Sequence, residues 1–184
     1  MALLALIVVS HHRHAESSWE DKAFELAAYV LLSVAAVGRI WSSAYISGNK
    51  RTSLIVEGPY SLIRNPLYFF SFLGFIGAGF AFESLILAAA FAVIFILTHG
   101  PAIHAEEGRL RREHGAQFDD YCRRVPRFFP RSWTIAHSEH ATFSPRLFDR
   151  AVRDCALILA VFVAAHVLEW CHIHGVIPVL VRLV

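Results

Sequence analysis

Three long apolar runs separated by polar stretches organise this chain: Phe24 to Ile46, Leu67 to Ile103, and Cys155 to the C-terminus. Each matches or exceeds the roughly 20 residues a helix needs to cross a bilayer core. The middle run of 37 residues carries a single charge, Glu83, and predicts two helices joined by a tight hairpin at Phe82-Glu83-Ser84. Spans are therefore expected at 24–46, 67–82, 85–103 and 155–172, with 104–150 as a polar segment before the last. Met1 to Val9 is apolar but too short to span, and no basic stretch precedes it as a secretory signal requires. That leaves a clipped first span or an interfacial helix. His174-Gly175 and Pro178 allow the final run to bend back or lie along the interface. The pattern predicts an all-α, polytopic helical membrane protein of about four to five transmembrane helices, folded as one domain over 1–184.

Composition agrees. Apolar residues make up 56% of the chain and charged residues 17%, with a mean hydropathy of +0.49, which is far from a soluble domain. Charge placement adds an orientation. Ten arginines lie between His104 and Arg153, and Lys50, Arg51 and Arg64 lie between Ser47 and Pro66, whereas Ser10 to Lys22 holds Arg13 and Lys22 against three acids. The positive-inside rule puts both basic loops in the cytoplasm and the Glu83 hairpin on the far side. Membrane lipids are the expected surroundings, a bacterial inner membrane the expected location, and no nucleic-acid partner is expected. Cys122, Cys155 and Cys171 form no Cys-x-x-Cys pair. The His11, His12, His14 group and the Cys171, His172, His174 group each lack a full ligand set, so no metal site is expected.

Two polar stretches flank the long middle run. The first, Gly58-Pro59-Tyr60 with Arg64-Asn65-Pro66-Leu67-Tyr68, reads as a turn. Gly58 tolerates unusual backbone angles, Pro59 fixes its own, and Pro66 pushes Asn65 out of the helical region while suiting a helix start. Arg64 and Asn65 then lie just ahead of a helix whose first N–H groups lack partners. The second stretch steps by three or four: Glu107, Leu110, His114, Phe118, Tyr121 and Val125 share one face of a helix. Arg109, Arg112, Asp119 and Arg123 fall on the other. A carboxylate aligned with an apolar stripe is costly without a cationic or hydrogen-bonding partner, so Glu107 points to an ion pair or a ligand. Gly115 costs about 1 kcal/mol within a helix and is the place where it would end. Gly74, Gly77 and Gly79 lie inside an apolar helix with no preceding strand, which favours close helix packing over a dinucleotide loop. Pro101 removes a backbone donor and crowds Leu97, turning His99 and His104.

The order of these residues, from Arg39, Trp41 and Lys50 through Gly58-Pro59-Tyr60, Arg64-Asn65-Pro66-Leu67-Tyr68 and Glu106-Glu107 to Gly115, Phe118, Tyr121 and Arg124-Val125-Pro126, resembles the isoprenylcysteine carboxyl methyltransferase family. The likeness covers roughly Arg39 to Pro130. It implies an integral-membrane methyltransferase using S-adenosylmethionine, held between the cytoplasmic turn and the segment after the hairpin. By position, Gly58, Pro59, Tyr60, Asn65, Pro66 and Tyr68 would shape the cofactor pocket, together with Tyr121, Val125 and Pro126. Glu106 and Glu107 would hold the cofactor's amino-acid end, and Arg64 and Arg124 would face the acceptor, with Arg64, Arg124 and Glu107 as the catalytic set. Asn65 departs from the histidine many relatives carry, keeping hydrogen bonding without titration. The implied acceptor is a lipid-like or prenylated small molecule. A carboxylate acceptor needs a cation, an amine needs a base or acid to hold it, and both stay open. The rival readings are a phospholipid N-methyltransferase, a membrane NADPH-dependent sterol or enone reductase, and a non-catalytic membrane scaffold.

Overall fold

Helix α1 (Trp19–Gly48) grows out of the first apolar run and continues past it at both ends. Its inward face is mostly small: Ala28, Leu32, Ala35, Ala36 and Ser42 are buried, at helical spacing. The opposite face, with Leu26, Tyr29, Val30, Val34 and Val37, is exposed although apolar, as a lipid-facing surface is. The computed structural model describes residues 10–12, 19–48, 53–137, 145–173, 176 and 181–183. The expectations for Met1 to Val9, His14, Lys50 and the bend at His174-Gly175 and Pro178 lie outside the described residues.

After α1 come a single turn, α2 (Pro59–Leu62), then α3 (Pro66–Phe80), α4 (Leu85–His114), α5 (Ala116–Arg124) and α6 (Pro145–Ile173). The expected hairpin is present. Glu83 takes a φ of 48° at the turn, and the Ser84 hydroxyl accepts the Leu87 N–H at 3.3 Å, capping α4. One departure from an all-α chain is a parallel pairing of β1 (Ser10–His12) with β2 (Val181–Leu183), Ser10 opposite Val181.

The helices pack in the row α6, α1, α3, α4. Missing side chains set how close they come. A methyl at Gly38 would overlap the Phe70 ring, one at Gly79 would overlap the Ala88 backbone, and one at Gly77 would lie 3.1 Å from Leu32 Cγ. Gly77 and Gly79 of α3 are thus packing residues, as their setting predicted, while Gly74 lines a cavity. Across α3 and α4, Phe72 and Phe75 meet Phe95, each with ring centroids 5.3 Å apart. Helix α6 is tied to α1 by Arg39–Asp154 at 3.4 Å, by the Cys155 thiol donating to the Ala36 carbonyl at 3.2 Å, and by His166–Glu25 at 3.2 Å.

The expected number of spans needs correcting. Among the described residues two helices are long and apolar enough to cross a membrane, Lys22–Ile46 and Leu85–His114, fewer than four to five. Helix α3 has 15 residues, about 22 Å at 1.5 Å per residue, against a hydrocarbon core of about 30 Å. Its expected extension to residue 82 fails because the chain has already entered the turn at Ala81. The expected 155–172 span falls within α6, several of whose side chains lie outside the description.

Candidate functional site

The first wall of the site is the turn ahead of α3. Gly58 has a φ of +58°, and the Tyr45 ring fills the place a side chain would take, so glycine is required twice over. Its N–H donates to the Ala136 carbonyl at 2.8 Å, and the Ser61 hydroxyl, which accepts the Ala136 N–H at 3.0 Å, donates to the Gly58 carbonyl at 2.7 Å. Arg64 donates its N–H to the Pro126 carbonyl at 2.8 Å, which fastens the turn to the segment after α5. Asn65, ahead of Pro66, occupies the cap position of α3, yet its side chain makes no cap hydrogen bond. Asparagine is a preferred cap; here its amide is diverted across the site and donates to Glu107 Oε1 at 2.8 Å.

The second wall is the polar end of α4 with α5. Helix α4 runs beyond the apolar zone, so Glu106 and Glu107 stand about two turns above His99. Gly115, φ +52°, ends it. The single continuous face expected from Glu107 to Val125 is therefore two helices, yet the break folds both segments onto one cavity. Phe118, Tyr121 and Val125 form a buried cluster against Leu54, Val56, Leu110 and Cys122. The Tyr121 hydroxyl donates to the Tyr60 carbonyl at 2.7 Å, joining α5 to α2.

Between the walls lies a cavity of about 400 Å³, within the range of about 300–1,000 Å³ usual for small-molecule sites. Tyr60, Arg64, Asn65, Tyr68, Glu106, Glu107 and Tyr121 all line it. Gly58, Pro59, Pro66, Val125 and Pro126, expected to shape the pocket, are not among its lining residues. Tyr68 donates to Glu106 Oε2 at 3.1 Å. Arg64 Nε comes within 3.8 Å of Glu107 Oε1, a charge contact too long for a hydrogen bond.

Arg124 is the exception. It is exposed on α5 and does not line the cavity, because the face that turns inward is set by Phe118 and Tyr121. The cation that reaches Glu107 from this segment is Arg127, with Nη2–Oε2 at 2.8 Å and Nε–Oε1 at 3.1 Å, a two-pronged pair. Sequence reasoning missed it. Its signal was Pro126, which turns the chain back toward α4 immediately before Arg127. Arg109, expected on the opposite face, also lines the cavity and pairs with Glu113 at 3.4 Å.

Two buried polar atoms on this lining have no hydrogen-bond partner among the described residues: the Tyr60 hydroxyl and Arg64 Nε. Burial pushes the Tyr60 phenol well above its ordinary value, with the Glu106 charge adding to it. Burial likewise raises Tyr121, against the opposing pull of Arg64. Tyr60 is thus a neutral O–H donor, and it stands with Arg64 Nε–H as a pair of donors awaiting acceptors. Opposite them, Glu106 and Glu113 present negative charge.

Residues 23–117 match the sequence profile of the phospholipid methyltransferase family. The chain is similar to the cobalt-zinc-cadmium resistance protein CzcN of Cupriavidus metallidurans, 34% identical over 98% of this chain and 83% of that protein. It is also similar to the nickel-cobalt-cadmium resistance protein NccN of Alcaligenes xylosoxydans xylosoxydans, 32% identical over 92% of this chain and 79% of that one. No solved structure gives a significant match.

Proposed function

The chain belongs to the phospholipid methyltransferase family, which takes in isoprenylcysteine carboxyl methyltransferase-like membrane proteins, and from that premise we propose that it moves a methyl group from S-adenosylmethionine to a lipid-like acceptor at the cytoplasmic boundary of the membrane. One observation carries the reading: two motifs 42 residues apart, Asn65 and Glu107, meet at 2.8 Å in a cavity lined by both signs of charge and by aromatic rings. The cofactor supplies an electrophilic methyl on a sulfonium cation.

The residues fit such a guest. Glu106, whose protein partner is the neutral Tyr68 hydroxyl, is the carboxylate left to receive an ammonium. Arg64 Nε–H and the Tyr60 O–H are the donors for a carboxylate or a ribose hydroxyl. Tyr68 and Tyr121 offer aromatic faces to a cation. Glu107 is already held by Arg127 and Asn65, so its role is to position the two walls. The walls exclude water and fix the alignment of acceptor, methyl and sulfur, which carries much of the acceleration in a single displacement.

Among acceptors, carboxyl O-methylation of isoprenylcysteine-like substrates is the favoured reading, a carboxylate needing a cation near its oxygens. Phospholipid N-methylation is the alternative. A nicotinamide dinucleotide fits poorly: its phosphates would face Glu106, Glu107 and Glu113. Methyl esterification of an envelope carboxylate also removes a ligand for divalent cations, which gives the resistance names of the two relatives a chemical link to this reading.

Detergent-purified protein is expected to gain thermal stability with S-adenosylhomocysteine. At a hundredfold excess over Kd the gain is about 2.7 kcal/mol, or on the order of 5–10 °C for a chain of this size. No shift at saturation overturns the proposal. Glu106→Gln should lose most of the shift with the unliganded midpoint unchanged, and exposed Arg124→Ala should keep it.

A further inference from the structure

A second cavity, of about 370 Å³, lies among α1, α3, α4 and α6, on the apolar side of Tyr68. Its walls include Leu32, Phe75, Ala78 and Phe91, and into this apolar lining are set Arg39, Ser71, His99 and Asp154. Ionisable groups at this depth are expensive and mark binding or transport paths. The Arg39 side chain is largely buried, at 18% exposure. One terminal nitrogen donates to the Ser71 hydroxyl, which itself donates to the Leu67 carbonyl. The other reaches Asp154 at 3.4 Å, a long contact to a carboxylate that is 46% exposed. The Nε–H is buried and has no hydrogen-bond acceptor among the described residues, the thiol of Cys155 being the other polar group beside the guanidinium.

The guanidinium thus has one N–H direction unfilled and a counter-ion that is half exposed and at the long end of ion-pair distance, in a chamber otherwise suited to hydrocarbon. The chamber also adjoins the first one. His99 stacks on Phe95 at 4.3 Å and meets the Tyr68 ring edge-on at 6.2 Å, while the Tyr68 hydroxyl bonds Glu106 in the other cavity.

We infer that this chamber seats the acceptor, an amphiphile whose hydrocarbon lies along Leu32, Phe75 and Phe91 and whose oxyanion head completes Arg39. The inference rests on the methyltransferase reading for its meaning and not for its test. Arg39 selects the head, Asp154 competes with it for the guanidinium, and Tyr68 stands at the boundary where the head and the cofactor's methyl would meet. Carboxylate and phosphate satisfy the same chemistry.

The test uses the full chain in dodecyl maltoside, reading the unfolding midpoint against increasing mole fractions of laurate, dodecyl phosphate or dodecanol, with the S-adenosylhomocysteine shift measured in parallel. Laurate, dodecyl phosphate or both should raise the midpoint where dodecanol does not, and which of them acts identifies the head. Arg39→Gln should weaken that preference at least tenfold and leave the S-adenosylhomocysteine shift unchanged. Asp154→Asn supplies a second arm, independent of whether the Arg39 variant folds: removing the competitor should tighten oxyanion binding severalfold, whereas a mere inter-helix tie predicts no gain. Equal action of all three probes on the wild type, an intact preference in Arg39→Gln, or no tightening in Asp154→Asn overturns the inference. A preserved oxyanion preference without any S-adenosylhomocysteine shift would overturn only the cofactor reading.

Discussion

Glu107→Ala should disable the site and destabilise the fold in one step. The carboxylate joins α4 to the turn through Asn65, to the segment after α5 through Arg127, and to Arg64 by charge. Removing it leaves two guanidinium groups without their partner. Breaking a buried pair costs about 3–5 kcal/mol; because Arg127 is 37% exposed, solvent screening reduces the expectation to about 2 kcal/mol. Thermal unfolding of the unliganded protein should show that loss, and S-adenosylhomocysteine binding should fall at least a hundredfold as the walls separate. Glu106→Gln provides the contrast, losing ligand affinity at unchanged stability. Should both variants unfold like the wild type, Glu107 does not hold the walls together.

Gly79→Leu is the second large effect, and it acts far from the cavity. Any side chain there meets the backbone of Ala88, which has no rotamer to change. Overpacking a core costs about 1–3 kcal/mol where side chains can move; against backbone the α3–α4 hairpin must open, so the upper end is expected. Opening it also shifts Glu106 and Glu107 relative to Asn65 and Tyr68. Cofactor affinity should therefore fall together with the unfolding midpoint, although Gly79 touches no ligand. Gly108→Ala on α4 is the control: the nearest atom to a new methyl is Arg112 Nη1 at 3.7 Å, so a gain of about 0.5–1 kcal/mol is expected from helix propensity. Equal midpoints for the two variants would mean that the hairpin contact is not close.

Local chemistry made much of this legible. Pro66 starts α3, the Phe82-Glu83-Ser84 turn separates α3 from α4, and Gly115 ends α4, each through local residue chemistry. A carboxylate lying in an apolar stripe called for a partner somewhere, and the family resemblance implied that the turn carrying Arg64 would face it. Which cation grips it was not legible. Arg124 and Arg127 are three residues apart in an arginine-rich segment, and the choice between them depends on how the chain turns at Val125-Pro126, a matter of tertiary packing. The second cavity was hidden for the same reason: Arg39 is one charge late in the first apolar run, and only the packing of α6 places Asp154 beside it. The parallel pairing of Ser10–His12 with Val181–Leu183 joins segments with no shared local signal.

Helix α3 is shorter than the hydrocarbon core of a bilayer, while its neighbour α4 is long and apolar enough to pass through one and beyond. A mismatch of this kind is relieved by lipids giving way, with the leaflet dimpling toward the shorter wall. The dimple would fall at Pro66, beneath Asn65 and Tyr68. Headgroups and water would then reach below the ordinary plane of the leaflet, to the cavity that Asn65 and Tyr68 line.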